Sequence, residues 1–162
     1  MKIEVDCTLT KDNLYDFAIY NIYTKLSGFL VIISGISIIF LGLIGKFYFE
    51  IENWKFILYV IFGLLIIAYT PFITKYRIYK IPEDNEIFKN KVYVISDEGI
   101  VYKDSKIEWK DIERYVRTPK NIGLYYGTDK AIIFSKDCIM NCYENLNKII
   151  MLNLDINKVL FS

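Results

Sequence analysis

The residue types in this sequence of 162 residues exclude several familiar kinds of catalytic and metal-binding site. Histidine is absent from the sequence, which excludes serine–histidine and cysteine–histidine nucleophile systems and histidine-ligated metal sites. Glycine-rich phosphate and dinucleotide fingerprints are absent as well. We therefore assign no catalytic, cofactor-binding or metal-binding residues, expect no cofactor, and predict that the protein is not an enzyme. The remaining catalytic hypothesis is a reaction that uses carboxylates or a single cysteine.

The cysteines are Cys7, Cys138 and Cys142. An odd number with one distant member is typical of reduced thiols on the cytosolic side of a membrane, and not of a disulfide framework. Cys138 and Cys142 could form a metal or redox pair. Because no histidine can complete such a site, we interpret them as two small apolar side chains near the start of a helix.

Two pairs of neighbouring carboxylates have simple structural explanations. Glu50 and Glu52 lie two residues apart in a short segment between apolar stretches, which is typical of a solvated loop. Asp97 and Glu98 precede Gly99 between two strand patterns, which predicts a hairpin turn. Neither pair indicates acid–base chemistry.

Three lysines, Lys103, Lys106 and Lys110, are the candidate contacts with the inner leaflet of a membrane. Lysines near an anionic lipid surface are attracted to it. The other interpretation is that they are solvated strand edges that discourage aggregation. Trp109 alternates with charged neighbours, which favours a core position over contact with a ligand. A net charge of +1 with dispersed basic residues predicts no nucleic-acid partner.

The elements that carry these residues begin with two stretches without a charged side chain, residues 26–45 and 56–74. A helix rises about 1.5 Å per residue, so about 20 residues cross a hydrocarbon core of about 30 Å. We predict transmembrane helix 1 over residues 26–45, an extracytoplasmic loop over 46–55, and transmembrane helix 2 over 56–74. Pro71 lies in the last turn of the second stretch, where it can end or bend the helix.

The distribution of basic residues predicts the orientation of this hairpin. Two lysines, Lys46 and Lys55, lie in the connecting segment, whereas seven basic residues lie near the other ends of the stretches: Lys11, Lys25, Lys75, Arg77, Lys80, Lys89 and Lys91. Cytoplasmic segments are the ones enriched in lysine and arginine. We therefore predict a multi-pass protein of the cell membrane with both termini in the cytoplasm.

Small residues form a stripe along the first stretch. Gly28, Gly35 and Gly42 recur every seven residues, and Gly63 lies in the second stretch. Such residues let helix backbones approach closely in lipid, either within the hairpin or in a dimer. The stretches contain no ionisable side chain, so transport by the hairpin alone is not expected.

The rest of the chain reads as an α+β domain on the cytoplasmic side. Residues 1–25 predict an alternating strand and an amphipathic helix that begins at Thr10. No glycine or proline precedes the first span, so this helix is expected to continue into it. Residues 75–162 predict short strands and a C-terminal amphipathic helix. This order is that of a PH-like small β-barrel or curved sheet capped by the helix, to which the N-terminal strand can add.

Three motifs carry a family resemblance. They are residues 94–100, VISDEGI; residues 107–112, IEWKDI; and the strand pair at residues 122–134. With the preceding hairpin, they resemble the YcxB-like family of small bacterial membrane proteins over nearly the whole chain. The resemblance implies a membrane hairpin with a PH-like C-terminal domain, and it supplies no catalytic residues.

Two functional hypotheses follow. The first is a non-enzymatic, membrane-anchored binding module that presents a PH-like domain to a protein partner or a lipid headgroup at the cytoplasmic face. The alternative is an accessory or inhibitory, immunity-like subunit that acts through its transmembrane helices on a larger membrane complex. The expected partners are the lipid bilayer and a protein, or a second copy of the chain.

Overall fold

The computed structural model describes residues 2–127, 130–154 and 159–160. The chain divides into two compact units. The hairpin unit is Ala18–Lys80, and the sheet unit combines Met1–Phe17 with Ile81–Ser162. The sheet unit is therefore assembled from two parts of the chain that the hairpin unit separates.

The hairpin unit contains two long helices, α2 (Leu26–Tyr48) and α3 (Asn53–Tyr79). The contact of Gly35 with Gly63 and of Gly42 with Tyr59 makes them antiparallel neighbours. Both helices are long and apolar enough to cross a membrane. Both extend beyond the predicted stretches, so the connection is shorter than residues 46–55. Helix α3 continues through Pro71, since a proline removes only one backbone hydrogen bond and the flanking turns remain helical.

The first helix, α1 (Lys11–Tyr23), follows strand β1 (Lys2–Cys7). The Thr10 hydroxyl accepts the Asn13 backbone N–H at 3.1 Å, so the predicted cap is confirmed. Helix α1 does not continue into α2, which corrects the expectation of one unbroken helix. Lys25 is extended (φ −87°, ψ 149°), and the Thr24 hydroxyl donates to the Tyr20 carbonyl at 2.9 Å. A threonine hydroxyl that bonds the preceding turn competes with helix continuation.

The first sheet has the order β1–β2–β3–β4 and is antiparallel. Its other strands are β2 (Lys91–Ser96), β3 (Gly99–Tyr102) and β4 (Ser105–Ile107). Lys2 lies opposite Ser96 and Cys7 opposite Lys91, so the hairpin unit is inserted between two paired strands. The predicted turn between β2 and β3 is confirmed. At Gly99, φ is +138° and a Cβ would lie 2.2 Å from the Ile107 carbonyl oxygen, which requires glycine.

The second sheet has the order β7–β6–β5–β8. Strands β5 (Ile112–Arg117), β6 (Asn121–Tyr126) and β7 (Ala131–Ser135) are antiparallel, and β8 (Val159–Leu160) pairs with β5 in parallel. The short helix α4 (Lys136–Ile139) follows β7, and α5 (Tyr143–Asn153) follows α4. Part of the predicted turn between β6 and β7, residues 128 and 129, lies outside the described residues.

One hydrophobic core joins the two sheets and α5. Its large, fully buried side chains come from both sheets, α4 and α5: Val5, Ile95, Ile100, Ile112, Tyr115, Ile122, Leu124, Phe134, Ile139, Leu146, Ile149 and Ile150. Trp109 is buried and donates its indole N–H to the Ser96 carbonyl at 2.8 Å. The core position predicted for Trp109 is therefore confirmed, and so is the apolar face predicted for α5.

The two sheets do not form a closed barrel, which corrects one of the two forms predicted for this domain. Strand β4 has three residues, and the 3-10 turn Trp109–Asp111 then leads the chain to β5 in the other sheet. Among the described residues, no strand pairing connects the sheets. The fold is α+β, with two four-stranded sheets around one core and two long apolar helices.

Candidate functional site

The docking site of α1 on the second sheet is the most elaborate arrangement of polar groups in the described chain. Asn13 and Asp16 come from α1, and Thr118 follows β5 directly. Asn121 is the first residue of β6, and Ser135 is the last residue of β7. Asn13, Thr118, Asn121 and Ser135 are buried. We refer to these five residues as the polar cluster.

Hydrogen bonds connect the members of the polar cluster across more than a hundred residues of sequence. The Asn121 amide donates to the Asn13 carbonyl at 2.9 Å and to the Asp16 carboxylate at 2.8 Å. The Thr118 hydroxyl donates to the same carboxylate, and the Asn13 amide donates to the Ser135 hydroxyl at 3.2 Å. Buried polar groups are costly unless they are paired, so this network specifies one position for the first half of α1.

An aromatic contact lies beside the polar cluster. Phe17 is buried against β6, where its ring occupies the space that a Cβ on Gly123 would need. The Phe17 and Tyr125 rings stack with centroids 5.6 Å apart, and the Arg114 guanidinium lies 4.3 Å from the Tyr125 centroid on the same ring. Gly123 lies within a strand and not in a turn. Glycine is required there because any side chain would prevent α1 from approaching β6 closely.

A polar cleft of about 470 Å³ lies next to the polar cluster. It is bounded by α1, the β5–β6 turn and the start of α4: Thr10, Asp12, Asn13, Pro119, Lys120, Lys136 and Asp137. The Lys136 ammonium donates to the Pro119 carbonyl at 2.6 Å. Two lysines and two aspartates give the cleft no net charge, so it has no preference for a strongly charged ligand.

The glycines of the predicted stripe lie in two different environments within the hairpin unit. Cβ atoms on Gly35 and Gly63 would lie 2.8 and 2.7 Å from each other's carbonyl oxygens, and a Cβ on Gly42 would lie 2.6 Å from Tyr59 Cβ. These three glycines lie where α2 and α3 touch. Gly28 instead lies against the Ile22 carbonyl, at the break between α1 and α2.

The three predicted inner-leaflet lysines have local partners. The Lys106 ammonium lies 2.7 Å from the Glu98 carboxylate, and the Lys110 ammonium lies 2.6 Å from that of Glu108. These pairings raise the pKa of both lysines and lower the pKa of both glutamates. The Lys103 ammonium lies 5.4 Å from the Tyr102 ring centroid. Residues 97–111 carry five acidic side chains against these three lysines, so the segment has a net charge of −2.

Sequence reasoning missed the polar cluster. Thr10 and Asn13 form a recognisable helix start, and Thr118 and Asn121 flank a proline turn, but no local pattern indicates that the two segments meet. Among the described residues, no group of three or more metal-ligating side chains is present. The prediction of no catalytic residues stays a prediction.

Comparison with known proteins identifies one part of the chain. The family described as YcxB-like protein matches residues 95–150, which run from the end of β2 into α5. No curated protein and no solved structure matches the chain. Residues 95–150 of this protein thus match the YcxB-like family, in agreement with the family resemblance of the motifs at 94–100, 107–112 and 122–134.

Proposed function

We propose that the protein is a non-enzymatic, membrane-anchored binding module. In this proposal, the hairpin unit spans the cell membrane and the sheet unit, a PH-like domain, engages a protein partner at the cytoplasmic face. The observation that carries the proposal is the surface of α2 and α3, on which large apolar side chains such as Phe40, Phe62 and Leu65 are more than half exposed. Soluble proteins rarely leave apolar patches of this size uncovered, whereas lipid covers them.

The charges at the two ends of the hairpin support the orientation. Four basic residues lie where the hairpin unit connects to the sheet unit: Lys25, Lys75, Arg77 and Lys80. At the other end, Lys46 and Lys55 are accompanied by Glu50 and Glu52. Lysine and arginine are enriched on the cytoplasmic side of membrane spans. Both termini are therefore proposed to be cytoplasmic.

The arrangement of the sheet unit supports a PH-like domain. Strands β1 to β4 form one sheet, β5 to β7 belong to the other, and the apolar face of α5 packs into the core between them. Strand β1 completes the first sheet although the hairpin unit separates it from β2. The proposed domain is thus split in sequence, and both connections to the hairpin leave from neighbouring strands. The hairpin is therefore connected covalently to the domain at both of its ends, through the segment after β1 and through the segment before β2.

The charge of the sheet unit favours a protein partner over anionic lipid. The hairpin unit has six basic and two acidic residues, a net charge of +4, so the total of +1 leaves −3 on the sheet unit. Lys106 and Lys110 are paired with glutamates. A net negative surface is repelled by anionic headgroups. The cleft beside the polar cluster is the proposed contact point, since three segments shape it and the buried network positions them.

Membrane insertion and orientation are tested by cysteine labelling in intact cells. A membrane-impermeant maleimide is expected to label Phe49→Cys, in the connection between α2 and α3, without permeabilisation. Ser105→Cys, on an exposed position of the sheet unit, is expected to react only after the membrane is opened. The unmodified chain is the matched control, because its three cysteines all lie in the sheet unit. Labelling of Ser105→Cys in intact cells would contradict the orientation.

The binding role is tested by purifying the tagged full chain from native membranes in mild detergent and identifying retained proteins by mass spectrometry. Exchanging residues 26–79 for an unrelated two-span hairpin is expected to preserve the partner. Lys120→Glu, which reverses a charge at the cleft, is expected to reduce its recovery at least tenfold, the effect of about 1.4 kcal/mol. Lys148→Glu makes the same charge change on the exposed side of α5 and is the control.

The hairpin exchange also distinguishes the alternative, an accessory or inhibitory subunit that acts through its transmembrane helices. Loss of the partner on hairpin exchange, with retention in Lys120→Glu, would favour that alternative. The glycine stripe is one surface through which such a subunit could contact a partner helix. The facing helix of the same hairpin instead occupies the space beside Gly35, Gly42 and Gly63. A partner helix would therefore need the outer apolar faces.

A further inference from the structure

Two of the three cysteines lie together in the sheet unit. Cys7 ends β1 and is almost fully buried, and Cys138 belongs to α4 and is partly exposed. The Cys138 sulfur lies 3.7 Å from the carbonyl oxygen of Thr8, the residue after Cys7. Cys7 belongs to the hydrophobic core, and Cys138 packs against the same core. The hairpin unit separates them in sequence, so this pairing is invisible in the cysteine spacing.

We propose that Cys7 and Cys138 are a thiol modification site that closes to an intramolecular disulfide on reaction with a low-molecular-weight disulfide such as oxidised glutathione. The Cys138 thiolate attacks one sulfur of the reagent and expels one thiolate, which leaves a mixed disulfide on Cys138. The Cys7 thiol then loses its proton and attacks the Cys138 sulfur, which expels the second thiolate. Two protein thiols are oxidised to one disulfide, and the reagent is reduced to two thiols.

The environments of the two sulfurs set the order of these steps. Burial, reinforced by the hydrogen bond with Cys138, raises the pKa of Cys7 to about 12. Cys7 is therefore protonated at neutral pH and shielded from a reagent in solution. Cys138 is the accessible partner, and the thiolate is the attacking form. Cys138 thus reacts first, and Cys7 resolves the mixed disulfide.

Cys142 is not part of this pair. It immediately precedes α5, and its backbone N–H donates to the Ile139 carbonyl at 2.9 Å. Among the described residues, the three cysteines do not form a cluster of metal-ligating groups. The interpretation as a small apolar side chain therefore applies to Cys142, whereas Cys138 belongs to the proposed pair.

The disulfide would fasten an edge strand. Strand β1 is at the edge of the first sheet, where its strand neighbour is β2, and it comes before the inserted hairpin. A bond from Cys7 to Cys138 joins the segment before the hairpin to the segment after it. The two parts of the split sheet unit would then stay together under oxidising conditions even when the hairpin is cut.

The test is a thiol count on the full chain in mild detergent, before and after incubation with oxidised glutathione. The number of thiols that react with maleimide after denaturation is expected to fall from three to one. Cys142→Ser is expected to fall from two to none, and Cys138→Ser, at the partly exposed position, is expected to form no intramolecular bond. Peptide mapping is expected to recover a Cys7–Cys138 cross-link.

Three results would overturn the proposal. One is a count that stays at three, and another is a cross-link that includes Cys142. The third is a stable glutathione adduct on Cys138 that never closes onto Cys7. Oxidation of the denatured chain is the reference, because an unfolded chain pairs its cysteines according to loop length and not according to the native arrangement.

Discussion

We expect Gly35→Ala to destabilise the hairpin unit by about 1 to 3 kcal/mol, although alanine is the better helix former. The added Cβ would lie 2.8 Å from the Gly63 carbonyl oxygen and 2.5 Å from Ile67 Cγ1. A side chain can rotate away from such a contact, but a backbone oxygen cannot move unless its helix moves. The two helices must therefore separate along part of their length, and the close contacts that glycine permits are lost.

Gly45→Ala is the matched control for this prediction. The nearest atom to its added Cβ is the end of the flexible Ile51 side chain, Cδ1, at 3.0 Å. We expect this variant to be neutral, or stabilising by up to about 1 kcal/mol through helix propensity. The free energy of unfolding would be measured in mixed detergent micelles by circular dichroism. Equal stabilities of the two variants would show that α2 and α3 do not pack through Gly35.

The second large effect is expected where α1 docks on the second sheet. A Cβ on Gly123 would lie 2.2 Å from Phe17 Cε2 and 2.5 Å from Cζ. Gly123→Ala therefore displaces a buried aromatic ring, and we expect a loss of about 1 to 3 kcal/mol in the free energy of unfolding of the sheet unit. Phe17→Ala removes the same ring and is expected to cost about 3 to 5 kcal/mol.

The double variant separates this mechanism from a general loss of strand stability. If the Gly123 effect arises from the clash with Phe17, the added methyl group should cost much less once the ring is absent. The two changes are then expected to be non-additive by at least about 1 kcal/mol. Unfolding would be followed by the fluorescence of Trp109 in a Trp54→Phe background, since the chain has two tryptophans. Additive effects would contradict the docking of Phe17 on Gly123.

Local periodicity was sufficient to predict most of the elements. The charge-free stretches lie in α2 and α3, and the alternating N-terminal segment forms β1. Trp109 is buried in the core, as predicted. The physical reason is that a helix or strand exposes its apolar pattern within a few residues of sequence. The same argument predicted the Thr10 cap and the Gly99 turn, because both are satisfied by neighbours in the chain.

The boundaries of elements were less predictable because local preferences compete there. Pro71 favours the end of a helix, yet the remaining turns of α3 continue through it to Tyr79. No glycine or proline precedes Lys25 to indicate that α1 ends there. The Thr24 hydroxyl, which bonds the preceding turn, contributes to the end of the helix. In both places the outcome depends on small energy differences between alternative backbone conformations.

Tertiary structure alone decided which distant segments meet. Three contacts join segments that are far apart in sequence. They are the pairing of β1 with β2, the hydrogen bond of Asn121 with Asn13, and the approach of Cys138 to Thr8, the residue after Cys7. The division of the strands into two sheets was likewise not predictable from local sequence patterns. A pattern of residue types specifies what a segment buries, but not which partner covers it. That choice depends on the packing of the whole chain, since each contact gains its energy only when the others have formed.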